Sequence, residues 1–420
     1  MLDRTIAPPY GKISDFSLIE PKRTILPNGL PLFTINAGRQ EVIRLEFISR
    51  NGSKHDPKPG LTFFTAKMLA EGTSKRSSSE IAAALDYLGV HVEINPGLDH
   101  TGISLYCLSK YLNEVLPIFK DVLLDPVFPE EELNTQKIIR KDGLKVNLEK
   151  NQFVASRKIR TCLFGVNHPY GTNLEIEHID EILRDDILKF YSTAFLNEPL
   201  LITSGLVNEK EADSIQKHLG HFPSVTGNSN SSSFEEEPVK NFTIEKSDSL
   251  QSSVRLGRLI PSKSHKDYLP ILITNEIFGG YFGSRLMKNI REDKGYTYGV
   301  YSQVLNLEGA TMQIIGADVK KGFANATVDE IHSEMKRLKD ELVSQNELKT
   351  VKNYMLGSFL SSISTPFSLA DKFKSIYFHN LDYAFYREYI ETINSIKSDQ
   401  ILETARTYFN FENYSTVIVG

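Results

Sequence analysis

The sequence is poor in several features that define protein classes. Its 420 residues include no tryptophan and only two cysteines, Cys107 and Cys162. Two cysteines are too few for a disulfide framework or a cysteine-ligated zinc site, so a reducing compartment is the default expectation. The net charge of −5 lacks the basic excess that a nucleic-acid-binding surface usually carries. We therefore expect no nucleic-acid partner.

Long apolar stretches are also missing. No uninterrupted run approaches the ~18–20 apolar residues that span a bilayer. The chain begins "MLDRTIAPPYGKISDFSLIE", with acids and prolines where a signal peptide needs a continuous apolar segment. These absences predict a cytoplasmic protein that has no membrane partner.

Common catalytic motifs are absent from the sequence. It contains no H-x-x-E-H, no H-E-x-x-H, no P-loop and no G-x-S-x-G elbow. His218 and His221 lie at a predicted helix end, and His91 and His100 flank a predicted hairpin turn. Since a zinc enzyme site usually needs three protein ligands, both pairs are interpreted as surface histidines. We expect no metal or other cofactor in this chain.

What the sequence does contain is an internal duplication. A single core rarely extends beyond ~250–300 residues, so this length predicts at least two domains. The helical segment "GLTFFTAKMLAEG" ends at Gly72, and "YLPILITNEIFGG" ends 208 residues later at Gly280. A polar stretch rich in Ser, Asn and Glu lies between the two copies. We predict a first repeat over residues 1–222, a linker over residues 223–241 and a second repeat over residues 242–420.

Within each repeat, strand-like segments mix with amphipathic helices. Segments such as "VIRLEFIS" and "GISLYCL" in the first repeat have counterparts such as "SSVRLGRLI" and "ATMQIIGADV" in the second. This mixture predicts an α+β fold of two duplicated domains, each a mixed or antiparallel sheet covered by helices on one face.

Two stretches draw attention for their chemistry. Residues 59–73 predict an apolar helix ended by Gly72, whose other face offers no acid, histidine or nucleophile. In the second repeat, Arg291 lies on the last turn of a predicted helix, and Tyr298 lies on the strand that follows. A tight turn could bring this guanidinium and phenol together, a pair suited to holding a carbonyl oxygen that gains charge. The alternative interpretation is an ordinary solvated helix end.

Several segments together resemble a known family. They are "LPNGL", "PGLTFFTAKMLAEGT", "FPEEEL" and "LFGVNHPYG" in the first repeat and "FGGYFGSRLMKNIREDKGYTYGVYS" in the second. In this order they resemble the pitrilysin/insulinase family of inverted zinc peptidases, which includes the mitochondrial processing peptidases and the core subunits of the respiratory cytochrome bc complex. The resemblance covers nearly the whole chain and implies that the two repeats form a clamshell.

The resemblance implies that the zinc site is degenerate. In active members, the helix matching residues 59–73 carries H-x-x-E-H, with two zinc ligands and the glutamate that polarises the attacking water. The corresponding positions here are Phe63, Ala66 and Lys67. The position of the third ligand, a glutamate on a later helix, falls near Asp142. The resemblance therefore implies no metal in this chain.

The family's arginine and tyrosine, which reach the substrate carbonyl, match Arg291 and Tyr298. In two-chain members one subunit supplies zinc and the other supplies this pair. The resemblance thus implies a non-catalytic, activating subunit of a heterodimeric zinc metallopeptidase, with a homologous zinc-bearing partner and unfolded peptide substrates. The isolated chain could also form a homodimer.

Three other functions stay open at this point. The first is a structural or assembly subunit without a proteolytic role, like the respiratory core proteins. The others are a metallopeptidase that uses different ligands and a peptide-binding module that works without a partner enzyme.

Overall fold

The computed structural model describes residue 5 and residues 18–197, 199–220 and 239–420. The predicted linker lies outside the described residues as far as position 238, and a strand already begins at Asn241. Across the described ranges, no helix has the length and apolar character needed to cross a membrane.

The described part of the first half contains a six-stranded sheet. Its neighbours follow the order β1-β2-β6-β3-β5-β4, and only the β2–β6 pair is parallel. The strand β4 therefore lies at one edge. The six strands are β1 (Lys22–Ile25), β2 (Pro31–Asn36), β3 (Val42–Ser49), β4 (His91–Pro96), β5 (Thr101–Leu108) and β6 (Leu200–Gly205).

The second half, over its described residues, repeats this topology with five strands. The order is β7-β11-β8-β10-β9, again with one parallel pair, β7–β11, followed by antiparallel neighbours. The edge strand β9 thus corresponds to β4, which confirms the predicted fold of two duplicated α+β domains. The five strands are β7 (Asn241–Ile244), β8 (Gln251–Ile260), β9 (Thr297–Asn306), β10 (Thr311–Lys320) and β11 (Ser415–Val419).

Helices surround both sheets. Wider helical turns at Glu276–Gly280 and Met287–Asp293 join the last helix before β9 to that strand. In the described ranges the α-helices are α1 (Leu61–Met68), α2 (Ser78–Tyr87), α3 (Leu112–Leu124), α4 (Glu130–Leu148), α5 (Asn151–Phe164), α6 (Ile176–Glu181), α7 (Arg184–Phe190), α8 (Glu209–Leu219), α9 (Tyr268–Asn275), α10 (Ala324–Asp340), α11 (Gln345–Ser361), α12 (Pro366–Tyr377), α13 (Ala384–Ser395) and α14 (Ser398–Tyr408).

Each half has a main core between its sheet and its own helices. In the first half, Leu45 and Phe47 of β3 are fully buried in one cluster with Phe64 of α1 and Leu116 of α3. Burial of one such side chain contributes about 1.5–3 kcal/mol. The apolar face predicted for α1 is therefore what holds this helix on the sheet.

The other face of each sheet is covered by one helix from the opposite half. Ile159 of α5 packs in one cluster with Ile314 of β10 and Val417 of β11. Gly257 of β8 permits this close approach, because a Cβ there would lie 2.8 Å from Ile159 Cγ1. Conversely, the ring of Phe373 on α12 lies 4.7 Å from that of Phe33 on β2. Each half therefore contributes one helix, α5 or α12, that covers the sheet of the other half.

The helix α1 ends earlier than the sequence predicts. It stops at Met68, and Gly72 forms an isolated bridge with Ser77. Gly72 has φ +145, and its carbonyl accepts a hydrogen bond from Val127 N at 3.0 Å. Gly72 therefore belongs to this bridge and does not end the helix, which stops four residues earlier.

Candidate functional site

The start of α1 is fixed by an aspartate that precedes it. Both carboxylate oxygens of Asp56 accept backbone hydrogen bonds, from Gly60 N at 3.0 Å and Thr62 N at 2.9 Å. Burial raises the pKa of Asp56 to about 6, although these hydrogen bonds favour the ionised form. These hydrogen bonds therefore fix the position of the first turn of α1.

The three positions of the family's zinc motif carry no metal ligand. Phe63 lies under the guanidinium of Arg140 from α4, with 4.2 Å between Cζ and the ring centroid. Ala66 is fully buried, and Lys67 Nζ donates to Ile94 O at 2.8 Å. Burial and the nearby Arg140 lower the pKa of Lys67. Zinc does not fit here, because two side chains have no donor atom and two cations face the place.

Asp142 is not brought together with these positions. Its exposed carboxylate lies 3.6 Å from Lys145 Nζ on the outer side of α4. Arg140 and Leu144 line the cavity beside α1 instead. Residues two apart on a helix point in nearly opposite directions, which explains the difference. In the described ranges, no group of three or more His, Cys, Asp or Glu side chains is placed to hold a metal.

Lys67 also changes the open edge of the first sheet. Gly97 N donates to His100 O at 2.9 Å across the β4–β5 turn. By the alternation of an antiparallel ladder, the N–H and C=O groups of Ile94 then face away from β5. Lys67 therefore occupies an acceptor that an added strand would use.

The second repeat contains a matching contact. Asn275 Nδ2 donates to Ser302 O of the edge strand β9 at 2.9 Å. Both residues lie 208 positions after Lys67 and Ile94, respectively. A bond from this helix to an outer carbonyl is thus a shared feature of both halves, made by a lysine in one and an amide in the other.

Arg291 and Tyr298 line the same open groove in the second half. The groove has a volume of about 700 Å³, and Gln251, Asp318 and Lys320 also contribute to its wall. Gly295, with φ +65, makes the turn that brings the strand back beside the helical segment. The structure therefore brings together the two side chains that the sequence singled out.

Both side chains are free to contact a ligand. Tyr298 is 93% exposed, and across the described residues neither its hydroxyl nor the Arg291 guanidinium has a hydrogen bond or an ion pair. Arg291 Cζ lies 4.5 Å from the ring centroid of Phe282, which is itself 66% exposed. This cation–π contact orients the guanidinium without consuming its donors.

The groove lies beside the junction of the two halves. Asn151, the first residue of α5, donates from Nδ2 to Gln251 O at 2.7 Å. Lys246 Nζ donates to Leu148 O, the last residue of α4, at 2.9 Å. Through Gln251, the wall of the groove therefore contacts the α4–α5 connection of the first half.

His91 and His100 contact different carboxylates in the described structure. His91 contacts Glu93 at 3.3 Å, whereas His100 contacts Glu308 of the second half at 2.8 Å. His218 lies in the last turn of α8, and His221 lies outside the described residues.

Sequence reasoning missed Phe282 and a cluster of arginines beside Phe63. Phe282 follows a tyrosine in "GGYFGSR", an aromatic pair just before the Arg291 helix that could have been noticed. Arg157 and Arg160 share one face of α5 by their spacing, but Arg140 is on another helix. Only the tertiary structure places the three together.

Two family models match the chain. The model described as "Insulinase (Peptidase family M16)" matches residues 42–167, and "Peptidase M16 inactive domain" matches residues 181–355. The "Uncharacterized zinc protease YmxG" of Bacillus subtilis is 22% identical over 95% of this chain and 98% of that protein. The "Non-peptidase homolog YmxG" of Helicobacter pylori is 24% identical, covering 71% of this chain and 70% of its own.

A solved structure shares the fold. The crystal structure of a peptidase M16 inactive domain from Pseudomonas fluorescens superposes with a TM-score of 0.86 at 22% identity, covering 95% of this chain and 98% of that one.

Proposed function

Since the chain belongs to the insulinase family, peptidase family M16, as a homologue without the zinc motif, we propose that it is the non-catalytic, activating subunit of a heterodimeric zinc peptidase. In this proposal a homologous partner binds zinc, and this chain supplies Arg291 and Tyr298 to the bound peptide.

One observation carries the proposal. Arg291 and Tyr298 share an open groove and keep their donors unused in the described structure, while Phe63, Ala66 and Lys67 offer no metal ligand. In this groove, unlike at an isolated exposed tyrosine, a phenol and a guanidinium oriented by an aromatic ring can contact the same ligand. The combination favours a chain that assists chemistry at another subunit's metal.

The chemistry assigned to this chain is stabilisation of negative charge. The Tyr298 hydroxyl donates a hydrogen bond to the carbonyl oxygen of the scissile peptide as that oxygen gains charge. Arg291, held over Phe282, presents further N–H donors to the same oxygen or to the neighbouring peptide backbone. Removal of one such donor typically lowers turnover ~10²–10³-fold. The partner supplies the metal and the attacking water.

The state of the first sheet's edge supports substrate pairing on the partner. An extended peptide binds by adding a strand to a sheet edge, which needs free outward-facing carbonyl groups. On this chain, Lys67 already donates to the outward-facing Ile94 O. An unfolded peptide would therefore pair with the partner's edge strand and meet Arg291 and Tyr298 from this side.

The test begins with the partner. A pull-down from native extract identifies whether the stable partner carries H-x-x-E-H, and the purified partner is then assayed for peptide cleavage with and without this chain. We expect a large increase on addition of this chain, a ~10²–10³-fold loss of that increase with Tyr298→Phe and a comparable loss with Arg291→Ala.

Tyr87→Phe is the matched control, because Tyr87 is 89% exposed in the first half and lies outside the groove. The proposal fails if the partner cleaves peptides equally well alone. A partner without peptidase activity, together with full tolerance of both substitutions, would instead indicate a structural or assembly subunit.

A further inference from the structure

A second cavity, of about 420 Å³, opens beside α1 in the first half. Three arginines line it, namely Arg140 of α4 and Arg157 and Arg160 of α5, and the rings of Phe63 and Phe153 form apolar parts of its wall. Its volume lies within the ~300–1,000 Å³ of typical small-ligand sites. None of its lining residues belongs to the Arg291 and Tyr298 groove.

The arginines have few partners. Arg157 contacts the carboxylate of Glu175, and Arg160 Nη2 donates to Asn173 Oδ1 at 3.3 Å. Arg140 has neither a hydrogen bond nor an ion pair within the described part of the chain, and its Nε is completely buried. Stacking on Phe63 orients this guanidinium but leaves its buried Nε without a hydrogen-bond acceptor among the described residues.

The cavity's other charged groups are engaged elsewhere. Asp56 uses both oxygens at the start of α1, and no ion pair joins it to an arginine among the described residues. Lys54 contacts Asp99 at 3.0 Å and also the carboxylate of Glu308. An excess of positive charge therefore remains inside the cavity.

This excess is unfavourable without an added negative charge. Burial and the neighbouring Arg157 lower the pKa of both Arg140 and Arg160. Like charges in a partly desolvated cavity repel each other, and a bound anion removes that repulsion. The planar guanidinium fork matches the oxygen atoms of carboxylates and phosphates in pairs.

We propose that this cavity binds an oxyanion, supplied either by the carboxylate at the end of a peptide or by phosphate, and that Arg140 and Arg160 are its principal donors. The place where the family resemblance puts a zinc ion thus takes a ligand of the opposite charge. This inference is independent of the proposed partner, because it concerns a cavity formed by this chain alone.

Binding is tested on the full chain with two probes. The first is inorganic phosphate, measured as a rise in the thermal unfolding midpoint against sodium chloride of equal ionic strength. The second is a short apolar peptide with a free C-terminal carboxylate, titrated calorimetrically beside the same peptide with an amidated end. Binding of phosphate alone identifies free phosphate as the source, and binding of the free-acid peptide but not the amide identifies a peptide end.

The variants are Arg140→Met and Arg160→Gln, each expected to weaken binding about tenfold or more. Arg387→Met is the control, because Arg387 is exposed on α13, and this variant should bind like the wild type. Without anions, Arg140→Met should unfold at the wild-type temperature or above it, since it removes a repelled cation. The proposal is overturned if neither probe binds, or if both arginine variants bind as well as the control.

Discussion

The contact between the turns of the two edge hairpins allows a quantitative prediction for Glu308→Gln. Glu308 lies in the β9–β10 turn and faces the β4–β5 turn of the other half. Its carboxylate contacts His100 Nε2 at 2.8 Å and also Lys54 Nζ. In addition, Glu308 N donates to Asp99 Oδ2 at 3.1 Å. The glutamate therefore links the two halves through charged partners.

The expected magnitude follows from its pKa. Burial alone would raise this pKa, but hydrogen bonds from His100 and Lys54 and their charges outweigh burial and lower the pKa of Glu308 from 4.5 to about 2. At about 1.4 kcal/mol per pKa unit, this difference corresponds to about 3 kcal/mol of folding free energy. Because the folded-state pKa is lowered, the contribution is present above about pH 4.5 and is lost as the pH falls toward 2.

Denaturant unfolding followed by circular dichroism measures this effect. Near pH 7 we expect Glu308→Gln to unfold with about 3 kcal/mol less free energy than the wild type, and near pH 3 the gap should narrow to about 1.4 kcal/mol. Glu388→Gln, at an exposed position of α13, is the matched control. The reasoning is refuted if the two variants are equally stable near pH 7, or if the gap does not change with pH.

Three further predictions concern stability and reactivity. Lys374→Met removes the 2.5 Å hydrogen bond from α12 to the buried Glu46, and we expect a loss of ~1–3 kcal/mol in chemical unfolding; an unchanged midpoint would contradict this. Cys107 and Cys162 are buried, and burial raises the pKa of the Cys107 thiol to about 12. A disulfide reagent should therefore label both cysteines only after the protein is unfolded. Rapid labelling of the native protein would contradict this prediction. Burial raises the pKa of Asp56 from 3.8 to about 6, so the wild type loses stability as the pH rises between these two values, whereas an asparagine does not titrate. The melting temperature of Asp56→Asn relative to that of the wild type should therefore rise with pH over this range. A difference in melting temperature that stays constant would contradict the prediction.

The overall architecture could be predicted because its signals are local. The two apolar helical segments that precede Gly72 and Gly280, and the strand patterns around them, can be recognised within short windows of the sequence and indicate a duplicated α+β fold. The exchange of α5 and α12 could not be read in this way. Ile159 and Phe373 show that each helix has an apolar face, but periodicity does not specify which sheet that face covers.

The same distinction applies to the two sites. Arg291 and Tyr298 are separated by one turn, so their convergence follows from a helix, a glycine and a strand that are consecutive in the sequence. Arg140 lies on a different helix from Phe63, far along the chain, and only packing of α4 beside α1 brings them into contact. Asp142 is exposed on the outer side of α4, whereas Arg140 and Leu144 line the cavity beside α1. Residues two apart on a helix point in nearly opposite directions, and the sequence alone does not specify which of them faces α1.

The reciprocal placement of α5 and α12 determines how this protein can be divided. Expressed by itself, either half would present a bare apolar sheet surface to water and would tend to aggregate. If the chain is cut between the two repeats and the two fragments are produced separately, they should associate when they are mixed in equal amounts, because each fragment covers the exposed sheet of the other. One repeat therefore cannot be replaced by an unrelated domain unless the new domain also provides a helix that covers the sheet of the remaining repeat.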